Sequence, residues 1–278
     1  MIIARRGQFD STVTVNRTLC REHFLLTLRM PSFPPSRPGQ FVQVACNDDD
    51  VVQDAPREWP EDAPPELSRL GVADRVAILR RPFSLAGRRE VHGGVEIDLI
   101  GRDIGVGTRW LSQLSVGDNV NLLGPLGNGF TLPGAGGLAL MVGGGVGIPP
   151  MIYLSQIIAA ENAQRESRGE KPARAVVFCG AMTLDLLALT ITNDAPRPGI
   201  ESIDPLYNIA EFSQYNVPAV ISTDDGTYGF KGRVTGTLTR YLDQWITDNA
   251  DRNLTILYTC GPEPMMKAVA DLAMRRQL

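Results

Sequence analysis

The sequence changes its pattern near residue 135, and few folds accommodate both patterns. Before that point, "STVTVNRTL", "HFLLTLRM", "QFVQVAC", "RPFSLAG", "GVEIDLIG" and "DNVNLLGPLG" are short apolar or alternating runs, separated by Gly, Pro, Asn and Asp. Alternation with period two gives a strand one buried face, and turn residues at the ends close the connections. The spacing predicts an antiparallel barrel or sandwich. One helix-like piece, "GVGTRWLSQLSVGD", interrupts it, with Thr108 near its start. After that point "GLALMVGG", "ARAVVFCGA", "VPAVISTDDG" and "LTILYTCG" read as strands. They alternate with helical runs, "PPMIYLSQIIAAENAQRES" and "GTLTRYLDQWITDN". Continuous apolar strands alternating with helices imply a parallel α/β sheet. The boundary falls in "LPGAGG", which predicts one domain over 1–134 and a second over 135–278.

Two stretches fit neither pattern. Residues 47–71, "NDDDVVQDAPREWPEDAPPELSRLG", are acidic and proline-rich and read as a solvated loop, a cover or a docking loop. Residues 193–208 read the same way.

Composition excludes several classes. A net charge of −4 argues against nucleic acid or an anionic membrane surface as the main partner. No run approaches the length of a membrane span, and "MIIARRGQFD" lacks the apolar core of a secretory signal. The four cysteines, Cys20, Cys46, Cys179 and Cys260, are scattered without a C-x-x-C pair. This excludes a disulfide framework and a tetrahedral zinc site, and implies a reduced, cytoplasmic setting with no metal site. His23 and His92 are isolated and read as surface or structural residues.

Chemistry concentrates at one strand–helix junction. "LALMVGGGVGIPPMIYL" places Gly143, Gly144, Gly145 and Gly147 between a strand and a helix. Glycines let a backbone approach a phosphate, and a helix N-terminus offers amides and a favourable dipole, so a pyrophosphate at Gly144–Gly147 is expected. The plain alternative is a tight structural turn. The usual dinucleotide fingerprint is absent, because the next strand ends "VVFCGAMT" with no acid, and no Walker-type Lys-Ser/Thr follows. A nucleotide would then bind across the carboxyl ends of the strands, which puts Cys260 at the mouth of the site.

Three further stretches carry a family resemblance. Arg81-Pro82-Phe83-Ser84 resembles the R-x-[YF]-[ST] flavin motif of the ferredoxin reductase superfamily, and "IGVGTRWLS" resembles the segment that follows it there. "GPLGNGF", with "GGGVGIPP" and "CGPEPMM", is similar to one branch, the electron-transfer subunits of NAD-dependent dihydroorotate dehydrogenase. The resemblance covers about Val13 to Ala270 outside the two irregular stretches. It implies a Greek-key FAD-binding barrel followed by an NAD-binding α/β domain.

The resemblance also implies residue roles. Arg81 would pair with the FAD pyrophosphate, where a guanidinium fork suits phosphate oxygens. Pro82 belongs to the same stretch, Phe83 would pack against the flavin or its ribityl chain, and Ser84 would bond flavin N5. Amides of Gly107 and Thr108 would bind pyrophosphate. Cys260, with Gly261 and Pro262, would shape the nicotinamide pocket; the alternative for Cys260 is a small buried thiol. Ser84 and Cys260 are thus the expected catalytic residues.

Asp224 and Asp225 in "STDDGTYG" would repel a 2′-phosphate and accept from ribose hydroxyls, which predicts NAD(H), with Asp225 on the cofactor. Lys231 and Arg233 are the nearby cations that could reverse this. The family normally carries a [2Fe–2S] centre on four clustered cysteines after C-G-P-x-P-M-M, and this sequence, ending at Leu278, supplies none. The reading that follows is a flavoprotein subunit passing electrons between an FMN-containing dihydroorotate dehydrogenase catalytic subunit and NAD. The alternatives are a related flavin reductase subunit of another redox complex and a non-catalytic nucleotide-binding module.

Overall fold

The computed structural model describes residues 6–46, 77–192, 203–246 and 249–278. The acidic insertion at 47–71 and most of the 193–208 stretch lie outside the described residues.

The first half is a closed six-stranded antiparallel barrel, which decides between the two architectures the strand pattern allowed. Its strands are β1 (Gly7–Cys20), β2 (His23–Met30), β3 (Phe41–Cys46), β4 (Ala77–Val91), β5 (Gly94–Arg102) and β6 (Asn119–Leu126), in the order β1-β2-β5-β4-β3-β6. Closure comes from β1, long enough to pair with β2 through Thr12↔Arg29 and with β6 through Gly7↔Gly124. Alternate residues of each strand fill the interior, among them Leu26, Leu28, Val42, Val44, Ile97 and Leu99. Helix α1 (Val106–Ser112) covers one end, with Leu111 in that core. Asn16 holds the end of α1 by donating to the carbonyls of Leu111 and Leu114 at 3.0 and 2.8 Å.

The second half is a parallel sheet of β7 (Leu138–Gly144), β8 (Arg174–Ala181), β9 (Ala219–Thr223), β10 (Phe230–Lys231) and β11 (Thr255–Cys260), ordered β10-β9-β8-β7-β11. Every residue of β7 is buried, as its unbroken apolar run requires. Helices α2 (Pro149–Ser167) and α3 (Ala210–Ser213) cover one face through Met151, Leu154, Ile158 and Phe212. Helices α4 (Val234–Trp245) and α6 (Glu263–Arg276) cover the other through Leu238, Leu242, Val269 and Leu272, while α5 (Asn249–Leu254) leads into β11. The second predicted helix, 236–249, instead runs from Val234 and stops at Trp245. Strand order leaves β7 in one direction and returns at β11, so the switch of direction lies between these two.

Helix α2 joins the halves. Tyr153 belongs to the barrel core and exchanges a hydrogen bond with Ser36 at 2.9 Å, while Met151 and Leu154 belong to the sheet core. Phe130 meets Tyr258 edge-on at 5.5 Å, and the Tyr258 hydroxyl donates to the Thr131 carbonyl at 2.7 Å. The β1–β2 hairpin is held by Arg21, which pairs with Asp185 at 2.9 Å. These contacts fix the barrel beside the sheet.

Candidate functional site

A cleft of about 440 Å³ opens where the barrel meets the carboxyl ends of the sheet strands. Its walls come from Gly144–Val146 after β7, Gly180–Met182 after β8, Asp224 after β9, Arg233–Thr235 entering α4, and Pro262 with Met265 after β11. The barrel supplies His23, Arg102 and Ile104. Open parallel sheets bind ligands at this edge, beside the switch in strand order.

The glycine junction does two jobs. A Cβ on Gly144 would lie 2.6 Å from Met265 Sδ, and one on Gly147 would overlap the Cys260 carbonyl. Gly143 lies 3.0 Å by the same measure from Ile148 Cα, and Gly261, at φ +150°, is pressed against Gly144. Gly144, Gly147 and Gly261 interlock the turns after β7 and β11, and Gly143 packs within the first of them. Gly145 differs: its φ is +53° and nothing lies within 4 Å of its Cβ position. The expectation that α2 offers N-terminal amides is corrected here. Pro149 and Pro150 occupy its first turn, both are buried, and neither has an N–H. Any backbone approach to a phosphate falls to the loop at Gly145.

On the barrel, Arg81 is exposed on β4 and donates to the Leu79 carbonyl at 2.9 Å. Pro82 is exposed beside it. Phe83 is only 8% exposed and packs into the barrel core, with a Cβ on Gly101 falling 3.0 Å from its ring. Phe83 braces the strand from inside and leaves little of its surface open. Ser84 is half-buried, pairs across to Phe41, and its hydroxyl has no partner among the described residues.

Helix α1 starts with Thr108 Oγ1 accepting from the amides of Ile104 and Gly105 at 3.1 Å and donating to the Gly105 carbonyl at 3.1 Å. The first helical bond is Arg109 N–H to Gly105 O at 2.9 Å, so the amides of Val106, Gly107 and Thr108 precede the ladder. An exposed guanidinium, helix-start amides and a half-buried hydroxyl without a partner fit the phosphates and ring edge of FAD.

Cys260 ends β11 opposite Gly143 and is half-buried. Burial pushes its thiol above the ordinary value of 9.0, so it is a neutral thiol near pH 7. Asp225 is turned into its own loop, where its carboxylate accepts from Thr227 N–H at 3.0 Å and the Thr227 hydroxyl at 2.8 Å. Those bonds hold its carboxyl below the ordinary range. The carboxylate that lines the cleft is that of its neighbour Asp224. Arg233 lines the cleft with it, whereas the Lys231 side chain lies across Gly226. Residue-type reasoning missed His23, Arg102 and Ile104, because nothing local marks a barrel residue that topology brings to the sheet edge.

Among the described residues, no group of three or more His, Cys, Asp or Glu could hold a metal ion, and no helix is long and apolar enough to cross a membrane. The four free cysteines sit on β1, β3, β8 and β11, an arrangement that does not fit a [2Fe–2S] centre.

The oxidoreductase NAD-binding domain family matches residues 141–271. The dihydroorotate dehydrogenase B (NAD(+)) electron transfer subunit of Bacillus caldolyticus is 33% identical over 268 residues, covering 95% of this chain and 79% of that one. The subunit of the same name from Geobacillus thermodenitrificans is 33% identical over 209 residues, and this chain spans 65% of its length, under two thirds. In structure, the chain resembles an Amycolatopsis cytochrome P450 reductase, with TM-score 0.64, 18% identity, and coverage of 100% of this chain and 68% of that one. It also resembles an NADH-dependent reduced ferredoxin-NADP oxidoreductase, with TM-score 0.59, 21% identity, and coverage of 95% and 72%. These structural likenesses establish the fold.

Proposed function

The chain belongs to the family of dihydroorotate dehydrogenase B (NAD(+)) electron transfer subunits, and from that premise we propose that it carries electrons between a partner dehydrogenase and NAD through FAD held on its barrel. The observation that supports this most is the cleft, whose walls come from both the sheet's carboxyl edge and the barrel corner where β5 leads to α1. A dinucleotide over the sheet and a flavin on the barrel would share it.

Bound FAD would exchange hydride with NAD on one side and single electrons with the partner on the other. Arg81 would hold its pyrophosphate, helped by the amides of Gly107 and Thr108. Ser84 would offer its free hydroxyl to the reactive edge of the ring. Across the cleft, Gly145 lets backbone approach the dinucleotide phosphates, and Gly143, Gly144 and Gly147 hold that turn in place. Asp224 would accept from ribose hydroxyls and Arg233 would balance phosphate charge. Cys260, Gly261 and Pro262 would form the wall beside the nicotinamide. A neutral Cys260 thiol fills that wall and keeps water out without adding charge, and hydride transfer between rings needs no protein nucleophile.

The partner assigned by this reading is an FMN-containing dihydroorotate dehydrogenase catalytic subunit, met in the cytoplasm. Mixing the two purified proteins tests it. Dihydroorotate-dependent reduction of NAD⁺ that neither protein performs alone supports the assignment. No gain on mixing would remove this partner and leave an NAD-linked flavin reductase of another complex.

A further inference from the structure

Arg102 ends β5 and brings a charge to the cleft wall. Its neighbour Gly101 faces the barrel, where a Cβ would meet the rings of Phe24 and Phe83. Ile100 and Arg102 therefore share the opposite face of the strand. Ile100 packs in the sheet core with Ile148, and β5 lies against the turn Gly145–Gly147. Arg102 thus stands beside the glycine turn, on the barrel side of the cleft. That turn has few amides to give an anion, because Pro149 and Pro150 follow it. The charged residues on the wall are Arg102, Arg233 and Asp224, while burial lowers the pKa of His23 and keeps it neutral near pH 7. The wall therefore carries an excess of positive charge.

Glu22, at the tip of the β1–β2 hairpin, cancels that excess from behind the wall. Its Oε2 accepts from Arg102 Nε at 2.9 Å and lies 2.8 Å from Nη2. One carboxylate oxygen so takes the edge of the guanidinium that would otherwise fork onto a phosphate. Among the described residues the wall includes Arg102 and not Glu22. The backbone holds the acid there independently of the ion pair. The Glu22 carbonyl accepts from Asp103 N–H at 2.6 Å, and the Arg21 amide donates to the Asp185 carbonyl at 3.0 Å. Glu22 also sits at φ +64°, a left-handed conformation that glycine or asparagine adopts more easily, and strain of this kind gathers at functional positions. The Arg102 and Glu22 side chains are 36% and 37% exposed, and an ion pair so open to solvent is weak. An incoming phosphate loosens it at little cost.

We propose that Glu22 attenuates the cleft: its carboxylate engages Arg102 in the free protein and competes with the phosphates of the dinucleotide for that guanidinium. The acid keeps nucleotide affinity below what the cleft's cations would otherwise give, and so shortens the time a nucleotide stays bound. The proposal rests on the nucleotide reading of the cleft given above.

Calorimetric titration of the FAD-loaded protein with ADP, and with adenosine as the phosphate-free probe, tests it. Glu22→Gln removes the charge and keeps an acceptor oxygen for Arg102. Glu22→Gly removes the side chain and suits the left-handed backbone. Both should bind ADP about three- to fivefold more tightly than the intact protein at low salt, the effect of releasing a partly exposed ion pair, with adenosine unchanged. The gain should shrink as salt is raised. It should vanish when Arg102→Gln is added to Glu22→Gln. Unchanged or weaker ADP binding in either folded Glu22 variant, an equal gain for adenosine, or a gain that survives the loss of Arg102 overturns the proposal. ADP that binds none of these proteins removes the nucleotide reading itself, and the proposal with it. Hydride transfer is read separately, by the loss of flavin absorbance on adding NADH. Failure of the electron-transfer reading therefore looks different from failure of the attenuation.

Discussion

Gly147 packs so closely on the carbonyl of Cys260 that a side chain of any size on Gly147 would overlap that oxygen. Gly147 lies in the turn after β7 and Cys260 is the last residue of β11, at the point where the strand order reverses. The contact makes the glycine turn the support on which Cys260 rests.

Gly147→Ala should therefore disturb both stability and the nicotinamide wall. Overpacking of this kind costs about 1–3 kcal/mol. Gly145→Ala meets open space and bears only the cost of a left-handed conformation, about 1–2 kcal/mol. Denaturant midpoints and NADH-dependent flavin reduction should both rank Gly147→Ala as the more damaging change. The opposite order would mean that the interlock does not hold Cys260.

Much of this was readable from the sequence, and the parts that were not share a physical cause. The strands of both halves and the whole of α2 follow from local periodicity, because burial on one face leaves a mark every two or every 3.6 residues. Barrel and sandwich could not be told apart, since closure depends on β1 pairing with both β2 and β6 across the chain. The two-residue β10 and the four-residue α3 are too short to carry a period. Gly144, Gly145 and Pro262, singled out by the glycine turn and the C-G-P motif, lie on the cleft wall. His23, Arg102 and Ile104 were missed because only the docking of the β1–β2 hairpin on Asp185 brings that corner of the barrel to the sheet. Which of the two adjacent carboxylates lines the cleft was hidden as well, because Thr227 captures Asp225 and composition cannot reveal that.

Arg81→Ala should weaken FAD binding by about tenfold or more, the loss expected when a charge-assisted phosphate contact is removed. Fluorescence titration of apoprotein with FAD measures it. Arg80→Ala serves as the neighbouring control, since Arg80 is spent on the carbonyls of Gln43 and Asn121. Equal loss in both variants would remove Arg81 from the cofactor.

Cys260→Ala should slow flavin reduction by NADH while FAD stays bound. Because burial raises the thiol above 9.0, the group stays protonated and the rate in the intact protein should show no thiolate titration between about pH 6 and 8. Stopped-flow reduction across that range checks this. A rate that rises with pH through that window, and loses its rise in Cys260→Ala, would mean that the thiolate takes part.

Asp224→Asn should admit NADPH. Removing the carboxylate beside the ribose site removes repulsion of a 2′-phosphate, and Arg233 remains to attract it. The KM for NADPH should fall severalfold with little change for NADH. Asp225→Asn should leave the ratio as it is, because that carboxylate faces Thr227.

The central claim is that FAD on the barrel and NAD in the cleft form one working pair. An anaerobic absorbance titration of the FAD-loaded protein with NADH tests it most directly. The account predicts that NADH bleaches the oxidised-flavin spectrum at low, near-stoichiometric concentration, and that NADPH does so only at much higher concentration. A flavin spectrum that neither nucleotide bleaches would contradict it, and would make the cleft a nucleotide-binding module without turnover.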